Sequence, residues 1–377
     1  MKKIKVLSVF GTRPEAIKMA PLVLEFENHS EIESKVLITA QHREMLDQVL
    51  NIFEIEPDYD LDLMKHGQTV TDITTRVLQG VGEVLDEYRP DLLLVHGDTT
   101  TTFAAALAAF YHQVPVGHVE AGLRTWNIYS PYPEEMNRQL TGRLSTYHFS
   151  PTEQNRKNLL IENVADDHII VTGNTVIDAL YHVIKKEYDF EDEALKNIDF
   201  HKERVILLTC HRRENWGRPM QEIFGAVRQI AQEYPSYRVV FPMHKNPKIR
   251  EIAYDIFDGQ HNVTLIEPLE YEPFAKLMGS SYLILTDSGG IQEEAPGLGK
   301  PVIVLREETE RPEAVDAGTV MIGGTDKECL YQKIKMLLDD EGSYRKMAQA
   351  NNPYGDGRAS RRIVEYIKEE FAKKTDR

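Results

Sequence analysis

The chain has 377 residues, 41% of them hydrophobic, so it can bury a sizeable core and is long enough for two domains. Its formal net charge of −16 disfavours nucleic acids and anionic membrane surfaces as partners, because both repel an acidic protein. We find no apolar stretch long enough to span a bilayer, and the run after the first lysines ends at Gly11, too early for a secretion signal.

The chain has two cysteines, Cys210 and Cys329, with neither a pairing pattern nor the spacing of metal ligands. Such cysteine usage is typical of a reducing compartment, and we therefore expect a cytoplasmic protein. We predict neither a metal site nor a redox cofactor.

The first half of the chain alternates between strands and helices. An apolar strand over 4–10 runs into Gly11 and a helix that starts near Ala16. This turn lacks the second and third glycines of the dinucleotide fingerprint, so it predicts no nicotinamide site. Arg13 and Lys18 lie one turn apart at the start of the helix, where an anion is favoured, although two solvated surface charges explain them equally well.

Carboxylates follow two successive predicted strands. Asp98 comes after the apolar run 92–95, and Glu120 comes after the run 114–119. Since the carboxyl ends of parallel strands form the ligand-binding edge of an open sheet, we expect both side chains at that edge. Each alone could be an ordinary helix N-cap, whereas two together favour a site. Glu134 begins the next helix, a position that favours an acidic residue for structural reasons alone.

The alternation restarts in the second half, after a charged connection over 173–203. Further strands are predicted over 205–209, 237–242, 264–266, 281–286 and 301–305. The fold class is therefore α/β, with two doubly wound, Rossmann-like domains that face one another across a cleft and bind a ligand there. We place the N-terminal domain at 1–172 and the C-terminal domain at 173–359, with a helix of about 360–377 that packs back on the first domain.

A predicted strand leads into the turn Ser288-Gly289-Gly290, which begins a helix. Its backbone N–H groups are unobstructed and the helix dipole favours an anion, so the turn suits a phosphate. Glu294, one turn further, suits the hydroxyls of a ribose. A Ser-Gly-Gly turn also occurs in many loops that bind nothing.

His211 also follows a predicted strand, where a histidine can donate a hydrogen bond or a proton to a phosphate oxygen near neutral pH. A single histidine in such a position is more often structural. The convergence of Arg13, His211, Ser288 and Arg311 at predicted strand ends favours an anion site in this acidic chain.

Nine motifs follow one another along nearly the whole chain: FGTRPEAIKMAPL, QHREML, HGDTTTT, HVEAGLRT, SPYPEEMNR, HRREN, DSGGIQEEAPGLGKPV, ETERPEAV and NPYGDGRAS. Together they resemble the non-hydrolysing UDP-N-acetylglucosamine 2-epimerase family. The resemblance implies a fold like that of the GT-B glycosyltransferases, reversible conversion of UDP-N-acetylglucosamine to UDP-N-acetylmannosamine for cell-surface polysaccharides, and a homodimer.

The resemblance also implies the roles of individual residues. The catalytic groups would be Asp98, Glu120, Glu134 and His211. The uridine diphosphate would contact Arg13, Lys18, Ser288, Gly289, Gly290, Glu294 and Arg311, with Phe274 against the base. A second, activating substrate site would use Gln41, Arg43, Gln68, Arg212 and His244.

Three other functions stay open on the sequence. A hydrolysing relative would release UDP and free N-acetylmannosamine, and a GT-B glycosyltransferase would need an acceptor. A nucleotide-sugar sensor would bind without turnover, but the set of carboxylates argues against it. The motif GTRPEAIK favours the non-hydrolysing class.

Overall fold

A computed structural model describes residues 3–40, 43–63 and 67–375. The chain forms two compact units. The first comprises Met1–His182 and Tyr354–Arg377, and the second comprises Val183–Pro353. Each unit contains one parallel sheet, so the predicted pair of doubly wound α/β domains is confirmed.

The elements of the first unit alternate along the chain. They are β1 (Ile4–Phe10), α1 (Arg13–Glu27), β2 (Ile32–Ile38), α2 (Arg43–Phe53), β3 (Tyr59–Asp60), α3 (Val70–Tyr88), β4 (Leu92–His96), α4 (Thr100–Tyr111), β5 (Val116–Val119), α5 (Glu134–Leu144), β6 (Tyr147–Ser150), α6 (Glu153–Ile161), β7 (Ile169–Val171) and α7 (Thr175–Lys185).

The second unit repeats the alternation and is followed by a last helix that belongs to the first unit. The elements are α8 (Glu193–Lys196), β8 (Arg204–Thr209), α9 (Arg218–Glu233), β9 (Tyr237–Pro242), α10 (Pro247–Phe257), β10 (Val263–Ile266), α11 (Tyr271–Ser280), β11 (Leu283–Thr286), α12 (Gly289–Gly297), β12 (Val302–Val304), α13 (Pro312–Asp316), β13 (Val320–Ile322), α14 (Lys327–Asp339), α15 (Glu341–Ala348) and α16 (Ala359–Thr375).

The two sheets have the same strand order. The first runs β3-β2-β1-β4-β5-β6-β7 and the second β10-β9-β8-β11-β12-β13, with all pairs parallel. In each sheet the direction of the strand numbering reverses at one point. This point lies between β1 and β4 in the first sheet and between β8 and β11 in the second. Ligands of open α/β sheets bind outside the carboxyl ends of the strands at this switch point.

The return of the chain to the first unit depends on local hydrogen bonds. The backbone N–H of Asn174 donates to the Tyr354 carbonyl oxygen at 2.7 Å. The carboxylate of Asp178, on α7, accepts from the N–H groups of Ala359 and Ser360 at 3.1 and 2.8 Å. These bonds hold residues 354–360 to the start of α7. The boundaries between the two units therefore fall after residues 182 and 353, whereas the sequence predicts them after residues 172 and 359.

The cores follow the apolar patterning of the sequence. In the first unit Val77, Val81 and Leu85 of α3 pack with the small residues Ala104 and Ala108 of α4. Their spacing of three or four residues places each set on one helical face. Alanine on α4 lets the two helices approach closely against the buried strands.

Three short strands are not predicted by the sequence: β3, β7 and β13. They form the edges of the two sheets and have only two or three residues each. A run of that length shows no alternation that distinguishes a strand from a loop. The apolar residues of 36–40 predict the second strand there, and the strand of the structure begins earlier, at Ile32, and ends at Ile38.

Gly11 occupies the tight turn between β1 and α1. A Cβ there would lie 2.0 Å from the Thr39 Oγ1 atom and 2.9 Å from the Thr101 Oγ1 atom. These two hydroxyls are hydrogen-bonded to each other at 3.1 Å. The absence of a side chain therefore brings the ends of β1 and β2 close to the start of α4.

We expect Gly11→Ala to lower the free energy of unfolding by about 1–3 kcal/mol, because the added methyl group overpacks this contact. Urea unfolding at neutral pH measures the change. Gly225→Ala is the matched control, since its Cβ would meet only the Lys327 side chain, at 3.4 Å. Equal effects of the two substitutions would contradict the packing argument.

Candidate active site

Asp98 and Glu120 lie at the carboxyl edge of the first sheet, after β4 and β5. Neither residue is a helix N-cap: Thr99 caps α4 by accepting from the Thr102 N–H at 3.1 Å, and Glu120 leads into a loop. Glu120 has a φ of +63°, a left-handed conformation that costs a non-glycine residue about 1–3 kcal/mol. This strain concentrates at a residue that the sequence predicts to be catalytic.

The Glu120 carboxylate is oriented from three sides. Its Oε1 atom accepts hydrogen bonds from the Lys18 ammonium group and, at 3.2 Å, from the Asn174 side chain. Its Oε2 atom lies 3.6 Å from the His96 Nε2 atom. Lys18, predicted to contact the diphosphate, is thus an ion-pair partner of Glu120 in this structure.

Asp98 is paired with Arg138, whose Nη2 and Nε atoms lie 2.7 and 3.0 Å from its Oδ2 atom. Burial raises the pKa of Asp98, although the Arg138 guanidinium opposes the rise. A carboxyl group with a raised pKa transfers protons more effectively near neutral pH. The Asn137 side chain also donates to the Asp98 carbonyl oxygen at 2.9 Å.

The adjacent glutamates at the start of α5 differ in their surroundings. Glu135 is fully buried and accepts from the N–H groups of Thr125 and Trp126 at 2.9 and 3.2 Å, and from Arg138 at 3.1 Å. Burial opposes its ionisation, but these bonds lower the pKa of Glu135 overall. The buried Oε2 atom of Glu134 has no hydrogen-bond partner among the described residues. Glu135 therefore holds the loop, whereas Glu134 Oε2 takes no part in that network.

The sequence does not predict a role for Glu15, which connects the turn after β1 with the turn after β4. Its carboxylate accepts from the N–H groups of Gly11 and Thr12 at 3.1 and 2.8 Å and from the hydroxyls of Thr99 and Thr102 at 2.7 and 3.0 Å. The signal was available in the sequence, because Thr12-x-x-Glu15 is a capping box.

In the second unit, Asp287 joins the loops after β8 and β11. Its buried Oδ2 atom accepts from the N–H groups of His211 and Arg212 at 2.8 and 2.9 Å and from the Asn215 side chain at 3.0 Å. His211 therefore lies at the switch point of the second sheet, as predicted from its place after a strand. The sequence does not single out Asp287, although it begins the DSGG motif.

Two guanidinium groups flank the start of α12. A Cβ on Gly289 would lie 3.9 Å from the Nη2 atoms of both Arg212 and Arg311. A Cβ on Gly290 would lie 3.5 Å from Glu294 Oε1 and 4.0 Å from the hydroxyl of Ser288, the N-cap residue. The Ser288 N–H donates to the Thr286 hydroxyl at 3.0 Å. Two arginines beside the N-terminus of a helix suit a diphosphate. Arg212, predicted for the activating site, lies beside the predicted phosphate residues.

The other predicted ligand residues lie on neighbouring elements. Arg311 is the N-cap residue of α13 and forms an ion pair with Glu293. Phe274 lies on α11 and is partly exposed. Arg13, on the first unit, is the first residue of α1 and is partly exposed.

The residues predicted for the activating site are distributed over both units. Arg43 pairs with Asp47 at 3.0 Å, and Gln68 accepts from Arg76 at 3.3 Å, both in the first unit. His244 belongs to the second unit, where its ring stacks on that of His211 with centroids 6.0 Å apart. Gln41 lies outside the described residues. The activating site stays a prediction.

Within residues 3–40, 43–63 and 67–375, no three His, Cys, Asp or Glu side chains are grouped to hold a metal ion. Over the same residues, no helix has the length and apolar character needed to cross a membrane.

The family model described as UDP-N-acetylglucosamine 2-epimerase matches residues 24–368. The chain belongs to the UDP-N-acetylglucosamine 2-epimerase family. It is 57% identical to the UDP-N-acetylglucosamine 2-epimerase of Bacillus subtilis, covering 97% of this chain and 96% of that protein. It is 56% identical to the Escherichia coli K12 protein of the same name, covering 97% and 98%.

A solved structure of the epimerase family has the same fold. The UDP-GlcNAc 2-epimerase from Neisseria meningitidis, bound to UDP-GlcNAc, matches with a TM-score of 0.84 and 54% identity, covering 97% of this chain and all of that one. The resemblance of the nine sequence motifs to UDP-N-acetylglucosamine 2-epimerases is therefore confirmed.

Three buried histidines lie on adjacent strands of the first sheet: His96 on β4, His118 on β5 and His148 on β6. Burial lowers the pKa of His96 and of His118 to about 4, and that of His148 to about 3. All three are thus neutral at pH 7. The sequence does not predict this row, although His96 directly precedes the Gly-Asp at the end of its strand.

We expect acid to destabilise the protein through these histidines. Below the ordinary pKa of about 6.5 they take up protons only in the unfolded state, so stability falls as the pH drops from about 6.5 to about 4. Each histidine lowers the free energy of unfolding by up to about 1.4 kcal/mol for each pH unit in this range. Urea unfolding at several pH values should show a shallower fall for His148→Gln than for the unmodified protein; an identical slope would contradict the assignment.

Proposed function

We propose that the protein interconverts UDP-N-acetylglucosamine and UDP-N-acetylmannosamine without net hydrolysis, in the cytoplasm and as a homodimer, to supply activated N-acetylmannosamine for cell-surface polysaccharides. The observation that carries the proposal is a set of three carboxylates in different environments: Asp98 and Glu120 follow adjacent strands, and Glu134 begins helix α5, whose Arg138 pairs with Asp98. Asp98 is held by an arginine and Glu120 by a lysine, and Glu134 has a buried oxygen without a hydrogen bond among the described residues.

The chemistry of the substrate explains why several carboxylates are needed. The C2 proton of the sugar is not adjacent to a carbonyl group, so a base requires help to remove it. Cleavage of the C1–O bond expels UDP and produces an oxocarbenium-like centre that acidifies C2. A carboxylate then takes the C2 proton, a C1–C2 double bond forms, and 2-acetamidoglucal and UDP remain bound.

Epimerisation requires re-addition with the proton delivered to the opposite face of C2. UDP bonds to C1 again, and the atoms balance without a redox partner. Two faces require two acid/base groups whose pKa values are separated by their environments. The raised pKa of Asp98 beside an ion-paired Glu120 supports such a separation.

We assign the uridine diphosphate to residues around the start of α12. The N–H groups of this turn, with Arg212 and Arg311, would neutralise the diphosphate, and Glu294 would accept from the ribose hydroxyls. Phe274 would stack on the base. His211 and Arg13 would stabilise the charge that develops on the leaving UDP.

The decisive experiment is to incubate the protein with UDP-N-acetylglucosamine alone and to follow the products by NMR. We expect an equilibrium mixture of the two nucleotide sugars. Stoichiometric UDP and free N-acetylmannosamine would identify a hydrolysing enzyme instead. A substrate that stays unchanged until an acceptor is added would identify a glycosyltransferase. Binding of the substrate without any turnover would identify a sensor.

In D2O we expect the product to carry deuterium at C2 and none at C3, because a carboxylate that accepts the C2 proton exchanges it with solvent between turnovers. Proton NMR of both nucleotide sugars measures the label at each position. Small amounts of UDP and 2-acetamidoglucal should also accumulate. Protium retained at C2 through full equilibration would exclude the elimination mechanism.

Replacing Asp98 by Asn, or Glu120 or Glu134 by Gln, should lower turnover by about 10²–10⁴-fold, the usual contribution of acid/base catalysis. Initial rates with UDP-N-acetylglucosamine measure the loss. Glu153→Gln, at an exposed carboxylate of α6, is the matched control and should keep full activity. Glu135→Gln separates structure from chemistry, because it should lower thermal stability more than Glu134→Gln does. Unmodified rates in all three active-site variants would refute the site assignment.

A further inference from the structure

We propose that Asp287 is a positioning residue, which accepts a hydrogen bond from the Nδ1–H group of His211 and thereby directs the Nε2 atom of that ring towards the ligand. The catalytic meaning of this pair rests on the role proposed above for His211. The pair itself rests on the geometry of the second unit alone.

The two carboxylate oxygens of Asp287 have different surroundings. Oδ2 accepts three N–H groups, from the backbones of His211 and Arg212 and from the Asn215 side chain. Oδ1 is buried, has no hydrogen bond among the described residues, and lies 3.4 Å from the His211 Nδ1 atom. A buried acceptor without a donor is disfavoured. The buried Cys210 thiol also faces the Asp287 carboxylate, but a thiol is a weak donor. The imidazole is the stronger donor placed to satisfy Oδ1, and such contacts often shorten only when a ligand binds.

Rigid neighbours fix the position of the carboxylate. Asp287 follows β11, which pairs with β8 at the switch point of the sheet. The hydroxyls of Thr209 and Thr286 are hydrogen-bonded at 2.6 Å across these strands. Asn215 also donates to the Leu305 carbonyl oxygen at 3.0 Å, beyond the end of β12. The imidazole therefore meets an acceptor held by three strand ends.

This contact would select the tautomer and the charge of the ring. With Nδ1–H directed at Asp287, Nε2 carries the lone pair when the ring is neutral and a donor N–H when it is protonated. Burial lowers the pKa of His211, Arg212 and His244 lower it further, and the Asp287 carboxylate raises it. Asp287 thus partly offsets the burial and the neighbouring groups that lower the pKa of the ring.

The first test is the tautomer in the unmodified protein. Long-range proton–nitrogen NMR of the histidine-labelled protein without nucleotide sugar, with His211→Gln to assign the signal, reports which nitrogen is protonated. We expect Nδ1–H, whereas free histidine in water favours Nε2–H. An Nε2–H tautomer would overturn the proposal, and this measurement requires no variant of Asp287.

The second test is Asp287→Asn. The amide oxygen retains an acceptor for the loop N–H groups, while the amide N–H faces Nδ1 and should invert the tautomer. We expect the His211 pKa to fall, because the carboxylate that raised it is lost. Mere loosening of the loop would expose the ring and raise its pKa. Asn215→Ala is the matched control: it removes a donor to Oδ2 and should leave the Nδ1–H tautomer in place.

Kinetics then link the pair to the reaction. Asp287→Asn should lower kcat by about 10²-fold or more with little change in KM, since the wrong tautomer impairs the step and not the binding of substrate. An unchanged tautomer, pKa and kcat would refute the positioning role. An Nδ1–H tautomer in a protein that does not epimerise would instead refute the proposed function and leave the pair intact.

Discussion

A carboxylate buried beside the ends of parallel strands requires hydrogen-bond donors, and both units of this protein are organised by that requirement. Glu15, Glu135 and Asp287 each accept from two backbone N–H groups as well as from side-chain donors, and each therefore fixes the loop that supplies those N–H groups. Asp98 and Glu120 satisfy it with long side chains, Arg138 and Lys18. Side-chain partners can move when a ligand arrives, so the second group is suited to proton transfer and the first to support.

The charges near the acidic residues differ between the two sheets. A neutral His96 beside Glu120 adds no full charge to an edge that already holds a lysine and an arginine. At the start of α12 the balance is reversed, since the guanidinium groups of Arg212 and Arg311 flank Gly289. The first sheet edge thus presents carboxylates paired with a lysine and an arginine, and the second presents two arginines around a glycine turn.

Much of this arrangement is predictable from the sequence, because apolar runs and helical periodicity locate strands and therefore strand ends. Asp98, Glu120, His211 and Ser288 are predicted on that basis, and the structure places each at a strand end. The partners are not predictable in the same way. Arg138 reaches Asp98 across 40 residues, and Asp287 reaches His211 across 76, so only the fold brings them together. The edge strands are missed for the opposite reason, since their local signal is too short.

The return of residues 354–377 to the first unit bears on how the protein is made. Hydrogen bonds from Asn174 to Tyr354 and from Ala359 and Ser360 to Asp178 form only after nearly the whole chain has been synthesised. The second unit is a continuous insertion, and all of its strands leave the ribosome before the first unit receives its last helix. Domains usually fold in the order of their synthesis. In this protein the unit that begins first is the one that is completed last.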